Sequence, residues 1–316
     1  TGATGSDNTF MGRSAGLALS AGIKNTAVGA FALDRETSGS FSTAVGYQAL
    51  TNQIIPNGSI HNTAVGYNAA VSVSTGIQNT IIGSQAGDAL TDADYNTAVG
   101  RSALGADTLG NRSTAIGYGA LTLQNFTTAT DTYNTAVGYQ AGLNVTTGVR
   151  NTIIGGIAGD GLTTADDSTL VGYGAGGAAM TGHDNTAVGM DSLAANTSGN
   201  FNTAVGKAAG AAVTTGVHNT LIGGLAGDAL TDADFNVAIG YLALSGDTLG
   251  SKSVAIGQTA LRVQNFTTAT EVYNTAVGHS AGTAVTTGIQ NTLIGGLAGD
   301  ALTDADFNVA LGYSAL

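Results

Sequence analysis

The stretch Asp92-Ala93-Asp94-Tyr95-Asn96 sets three oxygen-bearing side chains at alternate positions, the spacing that opens a calcium loop. Related acidic groups recur at Asp88, at Asp228, Asp232 and Asp234, and at Asp300, Asp304 and Asp306, with a degraded copy at Asp160, Asp166 and Asp167. The glycine and the distant bidentate glutamate that complete an EF-hand are missing, and so is the glycine-rich nonapeptide of calcium-binding β-rolls. Asp92, Asp94, Asp232, Asp234, Asp304 and Asp306 are thus the candidates for calcium, and a solvated turn that keeps the chain soluble is the reading the spacing favours.

Catalysis finds less to work with. The four histidines, His61, His183, His218 and His279, have no acid or nucleophile at a matching spacing, and His61 and His218 occupy a turn position held elsewhere by Gln78, Arg150 and Gln290. Only two glutamates occur, Glu36 and Glu271, and there is no Trp, so a glycosidase pair would have to assemble across chains. Gly172-Tyr173-Gly174-Ala175-Gly176-Gly177 matches a dinucleotide fingerprint in letters only, because no helix pattern follows it. Neither an enzyme nor a cofactor is expected.

The elements that carry these residues repeat. Asn25-Thr26-Ala27-Val28-Gly29 belongs to a set of eighteen related segments whose glycines run from Gly12 to Gly312. Fourteen of the seventeen intervals share one 17-residue period, the step from Gly12 to Gly29. Three intervals are longer: Gly46 to Gly66, Gly117 to Gly138 and Gly257 to Gly278. A fixed period over a whole chain marks a solenoid, here a single repeat domain over 1–316. Nine Lys plus Arg against 21 Asp plus Glu leave a net charge of −12, with no basic track for nucleic acid. No Cys is present to form disulfides or thiolate metal sites, and no apolar run reaches membrane-spanning length.

Counting from the glycine, the fourth residue upstream is always Asn or Ser, the third is Thr or Val, and the first is aliphatic or Met. The second upstream is mostly Ala, replaced by Ile81, Ile153, Leu170, Leu221, Leu293 or Phe10. Alternation in a strand sets Thr and Val on one face and Ala on the other. The Asn and Ser suit turns and, once stacked, hydrogen-bonding ladders. Two short strands and two turns fit each unit, so eighteen rungs at ~4.8 Å predict a rod of roughly 85 Å. The expectation is that Thr and Val fill the narrow interior, which sets aside ice binding by a Thr ladder. Ala27, Ala44, Ala64 and their equivalents would then lie outside, where so long an apolar ladder calls for identical chains packed against it.

Asn236-Val237-Ala238-Ile239-Gly240 and Ser253-Val254-Ala255-Ile256-Gly257 resemble the repeats of trimeric autotransporter adhesin heads. The tyrosine-bearing form, as in Asn62-Thr63-Ala64-Val65-Gly66-Tyr67 and Asn134-Thr135-Ala136-Val137-Gly138-Tyr139, is similar to arrays in bacteriophage tail-fibre proteins. The resemblance covers essentially the whole chain. It implies an all-β, left-handed parallel β-roll assembled as a homotrimer, intertwined or side by side. It also implies a structural or adhesive role in a virion tail fibre that attaches to a host receptor or glycan. The head of a bacterial surface adhesin is the alternative, with a polysaccharide-degrading tailspike and a self-assembling extracellular filament behind it. The sequence is expected to be a window on a longer fibrous protein.

The long intervals mark the places where recognition would sit. One holds Ile54-Ile55-Pro56-Asn57-Gly58, a turn with the only Pro; the others hold Gln124-Asn125-Phe126-Thr127-Thr128-Ala129-Thr130 and its near-copy from Gln264 to Thr270. Phe126, Tyr133, Phe266 and Tyr273 are the candidate aromatic contacts, with burial of each Phe against the roll as the competing expectation.

Overall fold

The computed structural model describes residues 5–56 and 58–316; Asn57, in the predicted Pro-Asn-Gly turn, and residues 1–4 lie outside them. The protein is an all-β parallel solenoid of about 18 turns, and its chain falls into two compact units, Thr1–Ile157 and Ala158–Leu316. Among the described residues each unit carries nine three-residue strands of the Thr-Ala-Val type and no helix.

Within each unit the strands stack parallel and in register. Thr26, Ala27 and Val28 pair with Thr43, Ala44 and Val45, and in the second unit Thr186, Ala187 and Val188 pair with Thr203, Ala204 and Val205. The longer intervals leave this register intact: Thr43 still meets Thr63, Thr114 meets Thr135 and Val254 meets Thr275. The extra residues are therefore absorbed outside the strand. Beside each insertion a second short parallel pair forms, Gly39–Ser40 with Gly58–Ser59, Gly110–Asn111 with Thr130–Asp131, and Gly250–Ser251 with Thr270–Glu271.

The repeated glycine is required twice over. At Gly223 φ is +131°, and an added Cβ would lie 2.6 Å from the carbonyl oxygen of Gly240 in the next coil. Both the left-handed backbone and the close approach exclude a side chain. Between coils the predicted Asn ladder forms. Asn62 Oδ1 accepts the amide of Asn79 at 2.9 Å while its Nδ2 donates to the carbonyl of Gly76 at 2.8 Å, and Asn79 repeats this with Asn96 and Ala93. These side chains are buried, so each bond satisfies a polar group that would otherwise be stranded away from water.

The faces of the strand are the reverse of the sequence expectation. Ala27, Ala44 and Ala64 are fully buried, and the Thr and Val on either side of each point outward and stay partly exposed. The reason is interior width. The Ala three residues after the glycine in every coil but the one with Ser192, and the Leu four after it in many coils, such as Ala32 and Leu33, already occupy the core. A methyl group or one aliphatic chain is all the strand can add. The apolar ladder left outside is consequently the Val/Ile column, whose larger members Ile82, Ile154 and Ile294 are 38%, 40% and 39% exposed. The ground for setting ice binding aside falls with the inversion, since the Thr column faces out as well.

Candidate functional site

The inserted loops are built on buried carboxylates. Seven residues after its glycine a coil normally places an aliphatic side chain such as Val73 or Leu90, but three coils place Glu36, Asp107 and Asp247 there, all fully buried. In each case the next coil supplies a glutamine at the same place, Gln53, Gln124 or Gln264. Asp247 Oδ1 accepts the amides of Gly250 and Phe266 at 3.1 and 3.0 Å, and Gln264 Nε2 donates to Oδ2 at 2.6 Å. Gln264 also donates to Ser253 Oγ at 3.0 Å and accepts from Asn274 Nδ2 at 2.8 Å. Asp107, Gln124, Ser113 and Asn134 repeat the arrangement under the first of the duplicated loops. Glu36 does so with three successive amides, from Thr37 to Gly39, on Oε1. Every member of such a network is satisfied, so a charge can sit in the core and fix the path of the loop.

The phenylalanines of these loops point inward. Phe126 and Phe266 are only 7% and 8% exposed, which corrects their placing as surface contacts: each backbone amide is tied to the buried aspartate, and the ring closes over the roll. Tyr133 and Tyr273 are 54% and 47% exposed.

These tyrosines belong to a column that sequence reasoning saw only in part. The residue five before each glycine adopts a left-handed conformation, φ +58° at Phe235, +64° at Lys252 and +55° at Tyr273, and projects at the corner before the strand. Rings and cations alternate along it. Lys24 lies over Phe41, which stacks on His61. Arg112 lies 4.7 Å over Tyr95 and 5.8 Å over Tyr133 while pairing with Asp131 at 3.1 Å. Phe201, His218 and Phe235 stack at 5.0 Å spacings, and Lys252 pairs with Glu271 at 2.5 Å beneath the Tyr273 hydroxyl. Hydrogen bonding to Glu271, and then to Tyr273, raises the Lys252 pKa. The same ammonium, followed by Tyr273, holds Glu271 below the usual carboxylate range. The bond that Arg112 donates to Asp131 raises the arginine's pKa in the same way.

The acidic candidates connect successive coils. Asp92 Oδ1 accepts the Thr75 hydroxyl at 2.6 Å, and Asp94 Oδ1 accepts the Ile77 amide at 2.7 Å. Asp232 and Asp234 do the same with Thr215 and Val217 at 2.5 and 2.8 Å. Asp306 accepts the Ile289 amide at 2.8 Å, whereas Asp304 meets its neighbour Thr303. Among the described residues no three His, Asp or Glu side chains gather closely enough to hold a metal ion. Asp88, Asp160 and Asp228, in contrast, are half buried, and desolvation raises their pKa values. His183 accepts the Asp166 amide through Nδ1, and His218 is a stacked ring between two phenylalanines.

A cleft beside the second of the duplicated loops has a volume of about 270 Å³ and is walled by Phe235, Lys252 and Glu271. Sequence reasoning chose its neighbour Tyr273 as a contact but not Lys252, and noted Glu271 only as one of two glutamates; the signal was their place beside the tyrosine of a duplicated loop. No protein-family model matches the chain, and no curated protein sequence matches it.

Proposed function

We propose that this chain is part of a homotrimeric fibre, a bacteriophage tail fibre that serves in attachment to a host surface. The observation that carries the reading is the outward Thr/Val/Ile ladder. In each unit it forms a regular strip of half-exposed branched side chains, and contiguous apolar surface of this kind marks an interaction site. A strip that presents the same side chain at every rung is complementary to a copy of itself, and a closed ring of copies buries it without leaving an open edge. The resemblance of the tyrosine-bearing repeats to tail-fibre arrays supports the attachment role. The head of a bacterial trimeric surface adhesin uses the same assembly and is the alternative.

The buried networks under the loops support a role in presentation. They hold Tyr133 and Tyr273 at fixed corners, where side chains on a constant scaffold meet a partner at low ordering cost. The test is adsorption. The purified protein, added in excess to a panel of bacterial strains, is expected to bind a subset and to block virion adsorption to it; binding to no strain overturns the attachment role.

A second reading attaches to the same strip. Outward Thr and Val columns on a parallel sheet are a surface that orders water, and a monomer that depresses freezing below the melting point would favour that role over the fibre.

A further inference from the structure

The two duplicated loops carry equivalent corners that differ in one functional respect. Asp94, Tyr95, Arg112, Asp131 and Tyr133 of the first copy correspond to Asp234, Phe235, Lys252, Glu271 and Tyr273 of the second. Each change keeps the chemistry: ring for ring, cation for cation, carboxylate for carboxylate. In the first copy the planar guanidinium of Arg112 spans both rings and covers the face of Tyr95. In the second, the Lys252 ammonium reaches only Tyr273 and Glu271, and among the described residues no cation lies over Phe235. The face of Phe235 turned from His218 therefore looks into the cleft of about 270 Å³.

The walls of that cleft are of mixed chemistry. One side is an aromatic ring backed by a second stacked ring, His218. The Lys252–Glu271 pair, Thr270, Ser251 and Asp234 line the rest of it. Asp234 uses Oδ1 for the Val217 amide, which leaves acceptor capacity on Oδ2. Two carboxylates against one ammonium disfavour an anion. A flat apolar face beside closely spaced donors and acceptors matches a pyranose ring, whose C–H face lies on an aromatic ring while its hydroxyls take hydrogen bonds at the edge. The volume is below the usual range for drug-sized ligands, about 300–1,000 Å³, and suits one sugar residue of a longer chain.

We infer that the cleft between Phe235, Lys252 and Glu271 binds one uncharged sugar residue of a surface glycan, and that Arg112 closes its counterpart at Tyr95. The choice of a glycan rests on the host-attachment reading; the cleft itself rests on the geometry. Of the two equivalent corners it is the open one, and the closed copy supplies its own control.

The test is saturation-transfer NMR and calorimetry on the full chain with a panel of methyl glycosides of neutral hexoses and N-acetylhexosamines. One or more should bind once per chain, in the millimolar range expected of a single sugar residue. Lys252→Arg, which reproduces the closed copy, and Phe235→Ala should each weaken binding at least tenfold with unchanged circular dichroism. Arg112→Lys should open the first copy and raise the stoichiometry to two per chain. The absence of binding by every glycoside, or equal binding in the Lys252→Arg and Phe235→Ala variants, would overturn the cleft. Cell adsorption is read on the same samples. Adsorption without glycoside binding removes the cleft and leaves the fibre reading standing, whereas glycoside binding without adsorption supports the cleft and removes the attachment role.

Discussion

Leu221 and Gly227 share one piece of core: a Cβ added at Gly227 would lie 2.8 Å from Leu221 Cδ2. The same complementarity joins Leu170 with Gly176 and Leu293 with Gly299. Other coils carry Ala in the strand and Leu at the glycine's place, as in Ala238 with Leu244 and Ala255 with Leu261, all buried; where both are small, as in Ala204 with Gly210, a neighbouring coil fills the space, Leu221 Cδ1 lying 2.7 Å from a Cβ added at Gly210. The interior is thus filled partly within a coil and partly from the next one. Leu221→Ala alone should cost about 2–5 kcal/mol. Gly227→Leu alone should cost about 1–3 kcal/mol by overpacking. Combined, they rebuild an Ala/Leu coil and should recover part of both losses, since the space over Gly210 that Leu221 also fills stays empty. Denaturant unfolding of the four proteins measures the coupling, and additive losses would contradict it.

Two adjacent glycines should behave oppositely. Gly223 has a φ of +131° and approaches the Gly240 carbonyl, while a Cβ at Gly224 would meet only the Tyr241 ring at 3.5 Å. Gly223→Ala should lose more than about 2 kcal/mol through backbone strain and the widened step between coils. Gly224→Ala should stay within about 0.5 kcal/mol of the parent. Thermal unfolding of the two single variants distinguishes them.

The buried aspartate of a loop network should matter more than the glutamine beside it. Gln264→Leu leaves Asp247 buried without the donor at 2.6 Å. A stranded group of this kind costs about 1–3 kcal/mol, and more when charged. The pair Asp247→Leu with Gln264→Leu replaces both by the aliphatic side chains usual at that place but also strands the Gly250 and Phe266 amides that Asp247 accepts, and should be less stable than Gln264→Leu alone. Unfolding curves and proteolysis of the 261–272 loop report on the two variants.

Half-buried aspartates predict an unusual pH dependence. Desolvation raises the pKa values of Asp88, Asp160 and Asp228 in the folded protein, and Asp228 Oδ1 is without a hydrogen-bond partner. Between the unfolded value of about 3.9 and the raised folded value the native state binds more protons, so stability falls as pH rises through that window. These groups should make the protein more stable on mild acidification from neutral pH. Asp228→Asn should raise the neutral-pH melting temperature and flatten the profile. Glu271 has the opposite sign, since its lowered pKa gives stability that is lost as pH falls through the folded value.

Much of the fold was legible in the chain. The fixed period gave the coil count, the interchange of Asn and Ser gave the ladder, and unequal intervals gave the loops. The faces were not legible, because alternation divides a strand into two sides without saying which is inside when both are apolar. What decides is width, and the clue lay outside the strand, in Leu33 or Gly227 compensating for Ala27 or Leu221. Phe126 and Phe266 went astray for a related reason: the group that draws each loop inward is a carboxylate in the preceding coil, Asp107 or Asp247, at a place where other coils are aliphatic. That polar interruption, followed by glutamine one coil later, was visible in the sequence. The cleft needed the structure, since Arg112 and Lys252 look equivalent until their reach over Tyr95 and Phe235 is seen.

The central claim is that the outward Val/Ile ladder is covered by copies of this chain, and sedimentation equilibrium tests it most directly. The account predicts a species of three times the 30.9 kDa chain mass over a wide concentration range. It further predicts that Ile222→Lys, which sets a charge on the ladder, shifts this species to 30.9 kDa while parallel-β circular dichroism is retained. A parent protein that sediments at 30.9 kDa, or an Ile222→Lys variant that stays assembled, would contradict it.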